Sequence, residues 1–337
     1  PYDNVLYAVW EFLRAQGVLW VYPDPMGEYV PAGHGIRLDV LPIDRVPTAS
    51  VRFANFSVGQ NALFFWRTGY RGSWNPPALL GGDEMPKDPA RLLRPVSERK
   101  EEFREGFDGF PHNFETVFPP RVAMAHPEWW GYDAARKQRV APGAGKPTLC
   151  LMAPGLPDWI VAKMIDVAGA NPSCSATFNL LPMDAARFCQ CERCMALVDM
   201  RPAPRHAWAA ASAQSLSGPY FTCVATVAQK LREKLPQARV LALAYADVAL
   251  PPPLPARLPD NVTVMVCQYG APGLPMADPA NAVMRQCMED WKARSASLQN
   301  YEYVLLQESD ASARMPLPII RGIVDRSQWL ASLGALQ

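Results

Sequence analysis

A chain of 337 residues that is 49% hydrophobic and 19% charged can bury a large core, so it reads as globular rather than disordered. Its 33 basic and 32 acidic residues leave a formal net charge of +1, which offers no basic surface to nucleic acid or to an acidic membrane. No run of about 18 apolar residues occurs, so no transmembrane helix is expected.

The 35 prolines are spread along the chain rather than gathered in one tract, which suits a fold with long, ordered loops. Eight cysteines in this length do not make a disulfide scaffold. The chain opens at Pro1, without an initiator Met or a signal peptide, and enters a helix almost at once, so it is expected to be a piece of a longer protein.

The first element is "NVLYAVWEFLRAQG", an amphipathic helix with Val5, Val9, Phe12 and Leu13 on one face and Gly17 as its C-cap. A short strand from Val18 to Tyr22 follows, and "PDPMGEYVP" reads as a turn-rich link. Residues 1–45 are thus expected to be the end of a small α/β domain plus a linker. From about residue 50 apolar runs alternate with helical patterns. The expected strands are "SVRFANF" (50–56), "TLCLMAP" (148–154), "CSATFNLLP" (174–182), "VLALAY" (240–245), "VTVMVCQY" (262–269) and "YEYVLLQ" (301–307). Their near-continuous hydrophobicity suits parallel strands covered on both faces.

Three capped helices lie between them. "PDWIVAKMIDVAG" aligns Ile160, Met164 and Val167. "SGPYFTCVATVAQKLREKL" has Ser217 as a cap and Tyr220, Val224, Val227 and Leu231 on a stripe. "DPANAVMRQCMEDW" aligns Val283, Cys287 and Trp291. A last helical pattern, "PIIRGIVDRSQWLASLG", runs to the chain end. This alternation implies an α/β fold, a TIM-like (β/α) barrel over residues 46–337, with a doubly wound sheet as the rival. The barrel is expected to be incomplete at the C-terminus, its last strand falling after Gln337.

A barrel places its site at the carboxyl ends of the strands. Those ends offer His112 and Asn113, Asn179 and Asp184, Tyr245 and Asp247, Gln268 and Tyr269, and Glu302, Tyr303 and Glu308. Carboxylates, amides and aromatic rings at one mouth suit a sugar, and paired carboxylates about 5–9 Å apart suit glycosidic cleavage. Asp184 is equally placed to cap a helix. His126, in "AHPEWWGY", reads as a structural loop residue.

"FCQCERC", residues 188–194, carries three thiols as C-x-C-x-x-C. Zinc takes four ligands, and the fourth would have to be Cys174, Cys223 or His206, none at diagnostic spacing. With Cys189 and Cys191 read on a helix, their side chains face different ways and serve packing or a local crosslink. The reading therefore assigns no metal and no cofactor. No H-E-x-x-H, dinucleotide or phosphate loop, or EF-hand loop occurs.

Several blocks resemble one family in order along nearly the whole chain. They are "YAVWEFLRAQGVLWVYPDPMGEYVP", "PHNFETVFPP…AHPEWWGY", "FNLLPMDAARFCQCERC", "LALAYADVALPPP", "DNVTVMVCQYG" and "YEYVLLQESDASARMPLP". They resemble the domain of unknown function 4838 family, which includes glycoside hydrolase family 163. The resemblance implies an α-glucuronidase-like small domain ahead of a TIM-like barrel. It further implies a bacterial carbohydrate-active enzyme, secreted, periplasmic or at the cell surface, acting on complex glycans such as β-N-acetylglucosaminides. Asp184 and Glu302 fall on the family's acidic positions, with Met183 where Asn is usual. The expected catalytic pair is Asp184, as general acid, and Glu302, with His112, Asn113, Tyr245, Gln268, Tyr269 and Glu308 contacting substrate. The rival readings are a non-catalytic carbohydrate-binding or scaffolding module on a decayed barrel, and a metal-dependent enzyme built on the cysteines.

Overall fold

The computed structural model describes residues 2–20, 28–32, 35–36, 53–54, 71–72, 112–118, 120–141, 149–170, 177–182, 188–199, 215–253, 256–268, 271, 274–302 and 320–335. The chain divides into two compact units, Pro1–Glu102 and Phe103–Gln337. The expected boundary near residue 45 lies outside the described residues.

In the first unit, helix α1 spans Tyr2–Ala15. It stops where Gly17 takes φ +91°, a left-handed conformation that glycine adopts without a Cβ clash. Val18 N then donates to Leu13 O at 3.1 Å and closes the end. Strand β1 (Leu19–Trp20) pairs antiparallel with β2 (Glu28–Tyr29), so the stretch read as a link contains a strand. β3 (Phe53–Ala54) and β4 (Arg71–Gly72) form a short parallel pair.

The first described elements of the second unit are two short helices, α2 (Phe114–Val117) and α3 (Pro120–Ala125). A hairpin of β5 (Gly131–Asp133) and β6 (Gln138–Val140) follows. Then come α4 (Leu156–Ala170), β7 (Thr177–Leu180), the one-turn helix α5 (Glu192–Met195), α6 (Ser217–Lys234) and β8 (Arg239–Ala244). The unit ends with β9 (Val262–Gln268), α7 (Ala282–Arg294), β10 (Ser297–Glu302) and α8 (Ile320–Leu333).

β7, β8, β9 and β10 form one parallel sheet, adjacent in chain order. The fold is therefore mixed α/β. On one face Val240, Ala242, Ala244, Val262, Val264, Val266 and Leu298 join the main core with Tyr220, Phe221 and Val224 of α6 and Trp291 of α7. The alternate residues Leu241, Leu243, Met265 and Cys267 are buried as well. A sheet buried on both faces needs apolar residues at every position, which is why β8 and β9 read as unbroken hydrophobic runs.

Four expectations change. Residues 149–154, the described part of "TLCLMAP", are a loop and turns, although Leu149, Cys150 and Leu151 are buried. β10 starts four residues ahead of its expected position, because Ser297–Glu302 pairs residue for residue with Thr263–Gln268. Ser217 is the first residue of α6 and not its cap; its hydroxyl bonds Ser215 Oγ at 2.8 Å instead. The inward stripe of α7 is Met284, Cys287, Met288 and Trp291, while Val283 faces outward at 60% exposure. Trp291 is enclosed and its Nε1 donates to Ala249 O at 2.7 Å, so its one polar atom is satisfied inside the core.

Candidate functional site

The carboxyl end of the parallel sheet is the first candidate. Asn113 sits beside β7, and its N–H donates to Leu181 O at 3.2 Å. Its side chain repeats the strand pattern: Nδ2 donates to Asn179 O at 2.7 Å and Oδ1 accepts from Leu181 N at 2.8 Å. The residue is fully buried. It was expected to meet substrate; here its amide fastens the 112–113 segment to the edge of β7.

The neighbouring His112 is half-buried, with Nδ1 2.6 Å from Pro182 O. A carbonyl oxygen only accepts, so Nδ1 carries the proton and Nε2 is left as the ring's second polar atom. The His112 ring lies 5.9 Å from the ring of Tyr245, the residue that follows β8. Two expected substrate contacts from distant parts of the chain thus meet. Below them Tyr220 Oη donates to Leu180 O at 2.6 Å and accepts from Leu243 N at 3.1 Å. This buried phenol bridges β7 and β8 just where their direct pairing ends at Leu180 and Ala242. Burial pushes its hydroxyl far above the ordinary tyrosine range, so it stays protonated.

Gln268 and Glu302 are the last register pair of β9 and β10, which puts both residues at the same end of the sheet. Asp184, Tyr269 and Glu308 lie outside the described residues. Asp184 belongs to the short segment 183–187 that joins Pro182 to Phe188. His126 is a loop residue stacked on Trp129 with ring centroids 3.7 Å apart, and its Nδ1 is 2.9 Å from Glu128 Oε1.

The second candidate begins at Phe188, directly after that segment. Cys189 and Cys191 are not helical: Cys191 has φ −72° and ψ 158° and precedes the single turn Glu192–Met195. Extended backbone there lets the thiols converge where a helix would have turned them apart. The fourth thiol is Cys150, in the loop misread as a strand. Its Sγ is 3.6 Å from Cys191 Sγ and 3.7 Å from Cys194 Sγ. The sulfurs of Cys150, Cys189, Cys191 and Cys194 all lie within 4.8 Å of one another, and none is in a disulfide.

Each segment that bears a thiol is tied down by backbone. Cys150 N donates to Trp129 O at 2.7 Å, and Gln190 N to Tyr132 O at 3.0 Å. The hairpin completes the surroundings. Tyr132 N points at Cys189 Sγ at 3.2 Å, and Ala134 N donates to Gln190 Oε1 at 3.1 Å. Its turn is set by Asp133, whose Oδ1 accepts from Ala135 N and Arg136 N at 3.0 and 3.2 Å. Arg139 of β6 donates to Trp130 O at 2.5 Å. Burial works against its charge, but hydrogen bonding to Cys150 and the field of the thiols prevail and hold the guanidinium above its ordinary range. Hydrogen bonds from Cys150 and Cys194 pull the Cys189 thiol down, while the contact with Cys189 pushes Cys150 up to about 11 against the opposing pull of Cys194. Gly218 is the second residue of α6, and a Cβ there would fall 1.8 Å from Leu197 O, so only glycine lets the two backbones approach.

No match was found among curated proteins or among solved structures. The family model described as "Domain of unknown function (DUF4838)" matches residues 22–325, a span that holds both the sheet and the thiol cluster. The chain belongs to the DUF4838 family.

Proposed function

We propose that the protein is a glycoside hydrolase acting on complex glycans, with its site at the carboxyl end of the β7–β10 sheet. The observation that carries this reading is the gathering of His112, Tyr245, Gln268 and Glu302 at one end of four parallel strands. In parallel α/β sheets this is the end where substrates bind. Strands adjacent in chain order, with the earlier segment 112–113 on the outer edge of β7, also favour a singly wound (β/α) barrel over a doubly wound sheet, whose order reverses.

In this reading Asp184 protonates the leaving oxygen and Glu302 is the second carboxylate. His112, its tautomer fixed by Pro182 O, accepts a sugar hydroxyl at Nε2, and Tyr245 packs beside the ring. Gln268, Tyr269 and Glu308 hold further hydroxyls, and Asn113 positions His112. The substrate class, β-N-acetylglucosaminides among them, and export from a bacterial cell follow from the resemblance to glycoside hydrolase family 163.

The test is to assay the chain and its Asp184→Asn and Glu302→Gln variants on aryl glycosides and N-glycans. Each variant is expected to lose about 10²–10⁴-fold in turnover. Undiminished turnover in both removes the assignment; glycan binding with no hydrolysis by the unaltered chain would favour a binding module.

A further inference from the structure

We propose that Cys150, Cys189, Cys191 and Cys194 hold one zinc ion in a closed, structural site. The spacing of the sulfurs suits a tetrahedral site. Four thiolates at about 2.3 Å from a tetrahedral zinc lie about 3.8 Å from one another. Cys150 Sγ stands 3.6 Å from Cys191 Sγ and 3.7 Å from Cys194 Sγ, and the whole set falls within 4.8 Å. A disulfide would need a sulfur–sulfur separation of about 2.05 Å and would leave two thiols crowded and unused. Soft thiolates in a tetrahedral S₄ set select zinc or iron among the common metals, and zinc needs no redox partner.

The surroundings suit a bound dication with four thiolates, whose net charge is negative. The Tyr132 N–H reaches Cys189 Sγ, and Arg139 supplies a positive charge beside the sulfurs. Metal–thiolate sites are tuned by such outer contacts. Four protein ligands leave no open position for water or substrate, so the ion is structural and not catalytic. It joins the 149–151 loop to the 188–194 segment against the β5–β6 hairpin, and so fixes the chain on the far side of residues 183–187. The site stands whether or not the glycosidase reading holds.

The experiment is elemental analysis of the untagged chain, purified without chelator, beside Cys191→Ser, Cys194→Ser and a control, Cys267→Ala, whose thiol is buried outside the cluster. About one zinc per chain is expected in the unaltered protein and the control, and a loss of most of it in the two cluster variants. Cobalt(II) loaded in place of zinc should give the strong visible absorption of a tetrahedral tetrathiolate. The unaltered chain decides the matter even if a variant fails to fold. Absence of stoichiometric metal, a mass two hydrogens short from a disulfide, one equivalent of iron, or zinc retained by both cluster variants would each overturn the proposal.

Discussion

The β7–β10 sheet and the thiol-bearing region are held by different physics. The sheet is ordered by burial: both faces are apolar, Trp291 and Tyr220 are enclosed, and the strands pair in register. The thiol region consists of two loops, a one-turn helix and a three-residue-per-strand hairpin. Elements this short do not hold themselves in water. A point crosslink is the economical way to fix them, because it confines several segments with few atoms. Burial distributes stability over many residues, whereas the crosslink concentrates it in four.

Mutations can break this comparison. The largest effect is expected from Trp291→Ala, which leaves a cavity in the sheet's core and leaves the Ala249 carbonyl only the weak thiol donor of Cys287. It should cost about 3–5 kcal/mol in denaturant unfolding while leaving the metal content unchanged. Loss of metal along with that stability would mean the two regions are one cooperative unit. The smallest effect is expected from Gln190→Ala, which removes only the side-chain acceptor for Ala134 N at the exposed edge of the hairpin. It should cost less than about 1.5 kcal/mol, because the thiols still hold the segment. A larger cost would shift the burden from the crosslink to ordinary hydrogen bonds.

The same contrast explains what the sequence reveals. β8 and β9 are legible because a strand buried on both faces must be apolar throughout. The stripes of α4 and α6 are legible because Ile160, Met164 and Val167, and Tyr220, Val224, Val227 and Leu231, recur at helical spacing and are all buried. "TLCLMAP" misleads for the same reason that makes it apolar: Leu149, Cys150, Leu151 and Ala153 are buried, but in a loop that delivers Cys150. β10 is shifted because "SLQN" carries little hydrophobic signal, and its place is set by pairing with β9. In the candidate site, His112 and Tyr245 are recognisable as strand-end residues, but their meeting depends on tertiary structure. The use of the Asn113 amide on β7 is likewise visible only in the fold. The fourth thiol is hidden by its separation: three cysteines announce themselves as C-x-C-x-x-C, and Cys150 lies 41 residues before Cys191.

Hydrogen exchange of the chain before and after removal of its metal tests the two-region account most directly. Amide protection is expected to fall in residues 131–140 and 188–197, while β8, β9 and α6 keep theirs. Unchanged protection in the hairpin, or loss that begins in the sheet, would contradict it.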